Sequence, residues 1–179
     1  MPESASKVLA SWQGFYLILG SAAAALIGIQ FVVITLMATI RRAVTVESVS
    51  AFGTSTLIHL VSTLLISALM NVPWLLLIHT ALALAICSLG GLGYGAIVIR
   101  SARRQTEYKP ERADWVWFAL LPGGANLMLL ISAVCLKTVA ALSMFAIGAA
   151  ALGLLLIGTH NAWDSITHMV VARSVGNAE

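Results

Sequence analysis

The residues whose side chains are best suited to a chemical function lie near the carboxyl end of the chain. His160, Asp164 and His168 are spaced four residues apart, so on an α-helix they would stack along one face. Imidazole and carboxylate groups are common ligands of divalent metals, and histidine is also an axial ligand of haem. The spacing is compatible with a metal or haem site that His59 would complete. In the alternative interpretation, Asp164 pairs with an arginine and His160 marks the polar end of a helix.

The elements that would position these residues are membrane-spanning helices. Hydrophobic residues make up 60% of the 179 residues and charged residues only 9%, whereas an ordinary soluble domain has about 25% charged residues. A bilayer requires about 20 apolar residues per helix. Segments of about this length or longer occupy approximately residues 13–40, 51–71, 74–99, 114–136 and 139–160. We therefore predict a single all-α membrane domain over residues 1–179, built as a bundle of five transmembrane helices.

Short amphipathic helices are predicted at both ends of this bundle. Before the first apolar segment, Lys7 is followed by Val8, Leu9 and Trp12, a composition that suits the membrane surface. At the other end, residues 160–173 either extend the fifth helix or form a separate helix in the interface.

The positions of the cations predict the orientation in the membrane. With the amino terminus outside, the outer side has only Lys7 and Lys137, and cations are concentrated on the inner side, as the positive-inside rule requires. The inner cations are Arg41, Arg42, Arg100, Arg103, Arg104, Lys109, Arg112 and Arg173. We predict an N-out, C-in protein of a bacterial inner membrane. Its net charge of +3 then reflects topology and anionic lipid headgroups, so nucleic acid is not an expected partner.

Polar residues and backbone irregularities collect in the inner half of the predicted membrane. Counted at about 1.5 Å per residue, His59 and Pro122 lie at similar depths, and Gln30 is slightly deeper. Pro122 removes a backbone donor and two glycines follow it. A helix break is tolerated in lipid only where it faces protein or a water-filled cavity, so the break marks either a packing kink or a pathway. The pathway candidates are His59, Gln30, Pro122, Gly123, Gly124 and Asn126.

Faces of small residues predict close contacts between helices. Such faces are formed by Gly20, Ala24 and Gly28 on the first helix, Gly91 and Gly95 on the third, and Ala149 and Gly153 on the fifth. They can pack the bundle internally or join protomers, and we predict a homo-oligomer.

Missing residue types exclude several functions. No lysine lies within a predicted helix, which excludes a retinal Schiff base, and no Asp or Glu lies in the core of an apolar segment before Asp164. Carriers driven by protons or sodium usually need such carboxylates. The sequence also contains no His-Glu-x-x-His zinc motif and no phosphate-binding glycine loop. No catalytic residue is predicted, and the composition favours a protein that is not an enzyme.

Three functional hypotheses remain open. The first is a small homo-oligomeric channel or passive transporter for an ion or small solute, with the fourth helix broken near Pro122 and histidines close to the pathway. The second is a metal- or haem-binding membrane protein that uses His160, Asp164 and His59 as ligands. The third is a structural subunit of a membrane complex, docked through residues 160–173.

Overall fold

The computed structural model describes residues 7–40, 46–104 and 115–176. Within these ranges the side chains of residues 36–40, 46–53, 102, 104, 165 and 168–176 are outside the description. The helices are α1 (Gln13–Ile40), α2 (Val46–Asn71), α3 (Leu77–Arg104), α4 (Leu121–Cys135) and α5 (Ala140–Gly176), and a π-helical turn (Val116–Leu120) leads into α4. One helical turn over residues 7–10 precedes α1. The described part of the chain contains no strand.

Within the described ranges, five helices are long and apolar enough to cross a membrane. The spans are Gln13–Thr35, Thr54–Asn71, Leu77–Ser101, Val116–Cys135 and Ala140–Asp164. This confirms the prediction of an all-helical chain with five candidate transmembrane helices. The third helix begins at Leu77, later than the approximate boundary at residue 74. The preceding connection is closed by a hydrogen bond from Trp74 Nε1 to the carbonyl oxygen of Leu69, at 2.7 Å.

The centre of the bundle is formed by α2 and α5. The neighbours follow the order α1, α2, α5, α4, α3, and α3 also touches α2. Leu60, Ile66, Met144, Ile147 and Leu154 are almost completely buried between them. Large apolar side chains on the outside, among them Ile18 (73% exposed) and Ile86 (70% exposed), have no partner in the bundle. In water such a surface would be costly, whereas a bilayer would cover it.

The fifth helix is longer than a membrane is thick. It runs without a break for 37 residues, which corresponds to about 55 Å, against a hydrocarbon core of about 30 Å. The span itself finishes at Asp164. Residues 160–173 therefore continue the fifth helix, and the helix extends beyond the span.

The irregularity predicted near Pro122 takes the form of the π-helical turn. The amide of Leu121 donates to the carbonyl of Val116, five residues back, and Pro122 follows without an amide hydrogen. Gly123 and Gly124 lie within regular α-helix. The helix is thus wider on the amino-terminal side of Pro122, and it continues through this residue without a break. π-Helical turns of this kind recur at functional sites.

Candidate functional site

Buried polar side chains recur at every fourth residue of α2. Ser55, His59, Thr63 and Ser67 are 2%, 5%, 0% and 2% exposed, and Asn71 at the end of the helix is half-buried. We call these five residues the polar seam. Its length is about 24 Å at 1.5 Å per residue, so it crosses most of a hydrocarbon core of about 30 Å.

Three of the four neighbouring pairs in the polar seam are linked by hydrogen bonds. His59 Nε2 lies 3.4 Å from Ser55 Oγ, and Thr63 Oγ1 donates to the His59 carbonyl at 3.1 Å. Asn71 Nδ2 donates to the Ser67 carbonyl at 2.8 Å. Two of these bonds end on backbone carbonyls, and within the described residues no side-chain hydrogen bond links Thr63 to Ser67. The seam is therefore two hydrogen-bonded groups, Ser55–His59–Thr63 and Ser67–Asn71, on one helix.

The polar seam winds around α2 and meets three neighbouring helices along its length. Four residues advance a helix by slightly more than one turn, so each step rotates the seam by about 40°. The Ser55 side chain lies beside the Tyr94 hydroxyl of α3. The single hydroxyl hydrogen of Thr63 is shared between the His59 carbonyl and the carbonyl of Ala151 on α5, which lies 3.2 Å from Thr63 Oγ1. Ser67 packs on Gly20 of α1. The seam is therefore enclosed by three neighbouring helices.

The position of α5 beside His59 depends on Gly158. A Cβ atom at Gly158 would lie 2.8 Å from Leu60 Cδ2 and 3.5 Å from His59 Cβ. The first distance is shorter than a normal carbon–carbon contact of about 3.5–4.0 Å. A glycine at this position allows α5 to approach the histidine of the seam.

His160 lies on another side of α5 and stacks on Trp117. The two ring centroids are 3.5 Å apart and the ring planes differ by 5°. Two residues correspond to about 200° around a helix, so His160 is directed away from the Gly158 surface that meets His59. Its Nδ1 atom is buried and has no hydrogen-bond partner within the described part of the chain.

The comparisons with known proteins add no further assignment. Comparison of the chain with protein-family models, curated proteins and solved structures found no match. The functional inference therefore depends on this chain's own residues.

The structure separates the predicted metal ligands. His59 faces the α2–α5 contact, His160 faces Trp117, and Asp164 is exposed one turn further along α5. The side chain of His168 lies outside the described residues. Across the described ranges, no three His, Cys, Asp or Glu side chains form a group that could hold a metal ion. The metal site on the His160 face of α5 stays a prediction.

Asn126 forms a second buried polar contact, between α3 and α4. Its Nδ2 donates to the Pro122 carbonyl at 2.9 Å, and Ser88 Oγ donates to the Asn126 carbonyl at 2.6 Å. A Cβ atom at Gly91 would lie 2.6 Å from Asn126 Cγ. Asn126 and Pro122 are buried and lie at a different helix contact from His59.

The remaining pathway candidates are less enclosed. Gln30 on α1 and Gly123 on α4 are half-buried, and Gly124 is exposed. The predicted candidates therefore do not share one site: His59 belongs to the polar seam, whereas the Pro122 region belongs to the α3–α4 contact.

The small-residue faces are used in part within the bundle. Gly20 meets Ser67 and Gly91 meets Asn126, whereas Gly28, Gly95 and Gly153 have no atom within 4 Å of a built Cβ. Ala24 and Ala149 are exposed. Another molecule could therefore contact five of these residues: Ala24, Gly28, Gly95, Ala149 and Gly153. Contacts between protomers through them stay a prediction.

Several participants were missed by the sequence analysis, among them Ser67, Tyr94 and Trp117. Ser67 could have been found, because the interval of four from Ser55 to Asn71 is visible in the sequence. The partners Tyr94 and Trp117 carry no such signal, because their contacts with Ser55 and His160 depend on which helices become neighbours.

Proposed function

We propose that this protein is a small homo-oligomeric channel or passive transporter for an ion or small solute. The polar seam of α2 is the observation that supports this proposal. Polar residues within a membrane are costly and frequently mark pathways. Here they extend along most of one central helix while the outside of the bundle is apolar.

The seam favours a pathway inside each protomer. Its members face α3, α5 and α1 in turn, so the polar groups are enclosed by one chain. Oligomer contacts would then be made by outward-facing small residues. Gly28, Gly95 and Gly153 have open space beside them, which allows a second helix to approach closely.

The same proposal places the protein in a bacterial inner membrane with the amino terminus outside. Arg100 and Arg103 at the end of α3 are exposed, as are Lys7 and Lys137 near the opposite end of the bundle. Together with the cations of the connecting segments, this asymmetry supports the N-out, C-in orientation.

Flux measurements in liposomes test the proposed function. Purified protein is reconstituted, and the passage of monovalent ions and of small uncharged solutes is followed between about pH 5 and pH 8, the range in which an unperturbed histidine changes charge. We expect His59→Leu to reduce the flux, because it removes the hydrogen-bonding ring from the seam.

The matched control for this experiment is His79→Leu, because His79 is exposed on α3 and lies away from the seam. It should retain the wild-type flux, and the elution volume of each variant in detergent reports whether it folds. If wild-type protein passes no ion or small solute at any pH in this range, the proposal is refuted.

The alternative function is metal or haem binding at the His160 face of α5. The buried Nδ1 of His160, which has no hydrogen-bond partner among the described groups, favours it, since a ring nitrogen of this kind is a potential ligand. Mass-spectrometric metal analysis and an absorption spectrum of wild type, His160→Ala and the control His79→Ala decide between the two functions. A near-stoichiometric metal that only His160→Ala removes would establish the alternative, and a colourless, metal-free wild type would refute it.

A further inference from the structure

Each of the five helices buries a hydroxyl group near the same end of the bundle. This is the end at which α1, α3 and α5 begin and α2 and α4 finish. Each of the residues that carry these hydroxyls lies three or four residues from the end of its helix, or about 5 Å along the axis. We call the five residues the hydroxyl layer: Tyr16, Ser67, Thr80, Ser132 and Ser143, which are 1%, 2%, 0%, 5% and 2% exposed.

Four members of the hydroxyl layer have unused hydrogen-bonding capacity. Within the described residues, no partner is found for Tyr16 Oη, Ser67 Oγ, Thr80 Oγ1 or Ser143 Oγ. Only Ser132 uses its hydroxyl, which donates to the carbonyl of Met128 at 2.7 Å. Serine and threonine in helices commonly donate to the carbonyl one turn back, and buried hydroxyls are nearly always partnered. Four exceptions at one level indicate a place where another hydrogen-bonding molecule binds.

The hydroxyls of this layer lie among apolar side chains of the core, and no charged side chain of the described residues is buried with them. The buried polar side chains of the described residues belong to Ser, Thr, His, Asn and Tyr. The described charged side chains, Lys7, Arg100, Arg103, Lys137 and Asp164, are all exposed. A buried ion requires a compensating charge, whereas a hydroxyl both donates and accepts and so matches a neutral molecule that does the same. Water is the smallest molecule with this property and commonly satisfies buried polar groups.

We propose that the hydroxyl layer binds water and is the hydrated end of the pathway, which passes water or another small uncharged hydrogen-bonding solute and excludes ions. Ser67 belongs to both the hydroxyl layer and the polar seam and connects them. The substrate class rests on the proposed transport function, whereas water binding in the layer does not.

X-ray radiolytic labelling of the protein in liposomes tests for water in the layer. Hydroxyl radicals form from bound water and oxidise the nearest side chains within milliseconds, and methionine is a sensitive reporter. Met70 and Met144, 1% and 0% exposed, are chain neighbours of Asn71 and Ser143 at this end of the bundle, whereas Met128 faces the outside. We expect Met70 and Met144 to be oxidised at least about fivefold more than Met128. Oxidation no greater than that of Met128 would overturn the proposal.

A threonine pair shows whether the hydroxyls hold the water. Thr80→Val removes a hydroxyl of the layer while nearly preserving side-chain shape, and should lower the oxidation of Met70 or Met144 by at least half. Thr159→Val is the control, because Thr159 is exposed and its hydroxyl bonds to its own helix at Leu155; it should leave the labelling unchanged. Equal labelling in wild type and in both variants would overturn the role of the hydroxyls.

Osmotic and ionic permeability of the same liposomes test the substrate class. We expect osmotic water or urea permeation above that of protein-free liposomes, with no rise in ion permeation. Ion permeation equal to solute permeation would overturn the exclusion of ions. Labelling without any flux would support the hydrated layer and refute the transport function, whereas flux without labelling would refute the hydrated layer and support transport.

Discussion

The replacement of Gly91 by alanine is the most direct test of the packing between α3 and α4. A Cβ atom at this position would lie 2.6 Å from Asn126 Cγ and 2.9 Å from Asn126 Nδ2, and would also strike Asn126 Oδ1. The amide cannot move freely, because its Nδ2 donates to the Pro122 carbonyl at 2.9 Å. The methyl group must therefore separate the helices or break that hydrogen bond.

The expected size of the effect follows from these contacts. Overpacking a well-filled interior costs about 1–3 kcal/mol, and a lost hydrogen bond adds about 1 kcal/mol. Alanine recovers up to about 1 kcal/mol of helix propensity relative to glycine. We expect Gly91→Ala to lower the free energy of unfolding by about 2 kcal/mol, or about 4–8 °C in the midpoint of thermal unfolding for a chain of this size.

Gly90→Ala is the matched control, because a Cβ atom at the adjacent Gly90 has no atom within 4 Å. It should be neutral or slightly stabilising. The assay is thermal unfolding in one detergent, followed by circular dichroism. The double variant Gly91→Ala with Asn126→Ala should be destabilised by less than the sum of the two single variants, because the second change removes the obstacle. Equal unfolding temperatures for Gly91→Ala and Gly90→Ala would refute the close α3–α4 approach.

Two further predictions concern topology and the centre of the bundle. The topology is tested in whole cells with a variant that lacks the native cysteines. In this background, Lys137→Cys should react with a membrane-impermeant maleimide, whereas Arg103→Cys should react only after the cells are permeabilised. The reverse pattern would contradict the N-out orientation. Thr63→Val removes the hydroxyl that donates to the Ala151 carbonyl and should lower the free energy of unfolding by about 0.6–1 kcal/mol, the usual contribution of such a bond between membrane helices. The exposed control Thr159→Val should lower the free energy of unfolding by less than Thr63→Val in the same thermal assay. An equal decrease in the two variants would show that the hydrogen bond between α2 and α5 does not contribute to stability.

The five helices could be predicted from sequence because few backbone conformations satisfy their own hydrogen bonds in lipid. In a bilayer every amide and carbonyl must be satisfied within the segment, so a sufficiently long apolar run predicts a helix without knowledge of its neighbours. The length of α5 was less predictable. Asp164 and its polar neighbours mark the end of the membrane span, yet polar residues are equally compatible with a helix in water.

Helix faces were harder to predict than helix positions. Gly20 packs on Ser67 whereas Gly28 has open space, although both belong to the same small-residue face by spacing. Eight residues turn a helix about 80° beyond two full turns, which is enough to move Gly28 out of the contact. The sequence alone therefore predicts that a small-residue face exists without predicting how much of it a neighbouring helix covers.

The candidate site was predictable where a polar residue interrupts an apolar run. His59 stands out in this way, and the structure places it within the polar seam. The stack of Trp117 on His160 was not predictable, because it requires the π-helical turn to meet α5 at that level. Pairings of this kind are set by packing between segments that are distant in the chain.

Stability by itself does not explain why the interior of this bundle contains so many hydroxyl groups. A buried hydroxyl without a partner costs about 1–3 kcal/mol, and folded proteins are stable by only about 5–15 kcal/mol. Alanine or valine at Ser67, Thr80 and Ser143 would remove that cost and still fill the space. The four hydroxyls without partners among the described groups lie at one level, where Ser67 joins the polar seam. Because a scattered set would indicate only imperfect packing, their common level favours a shared ligand at the end of a pathway.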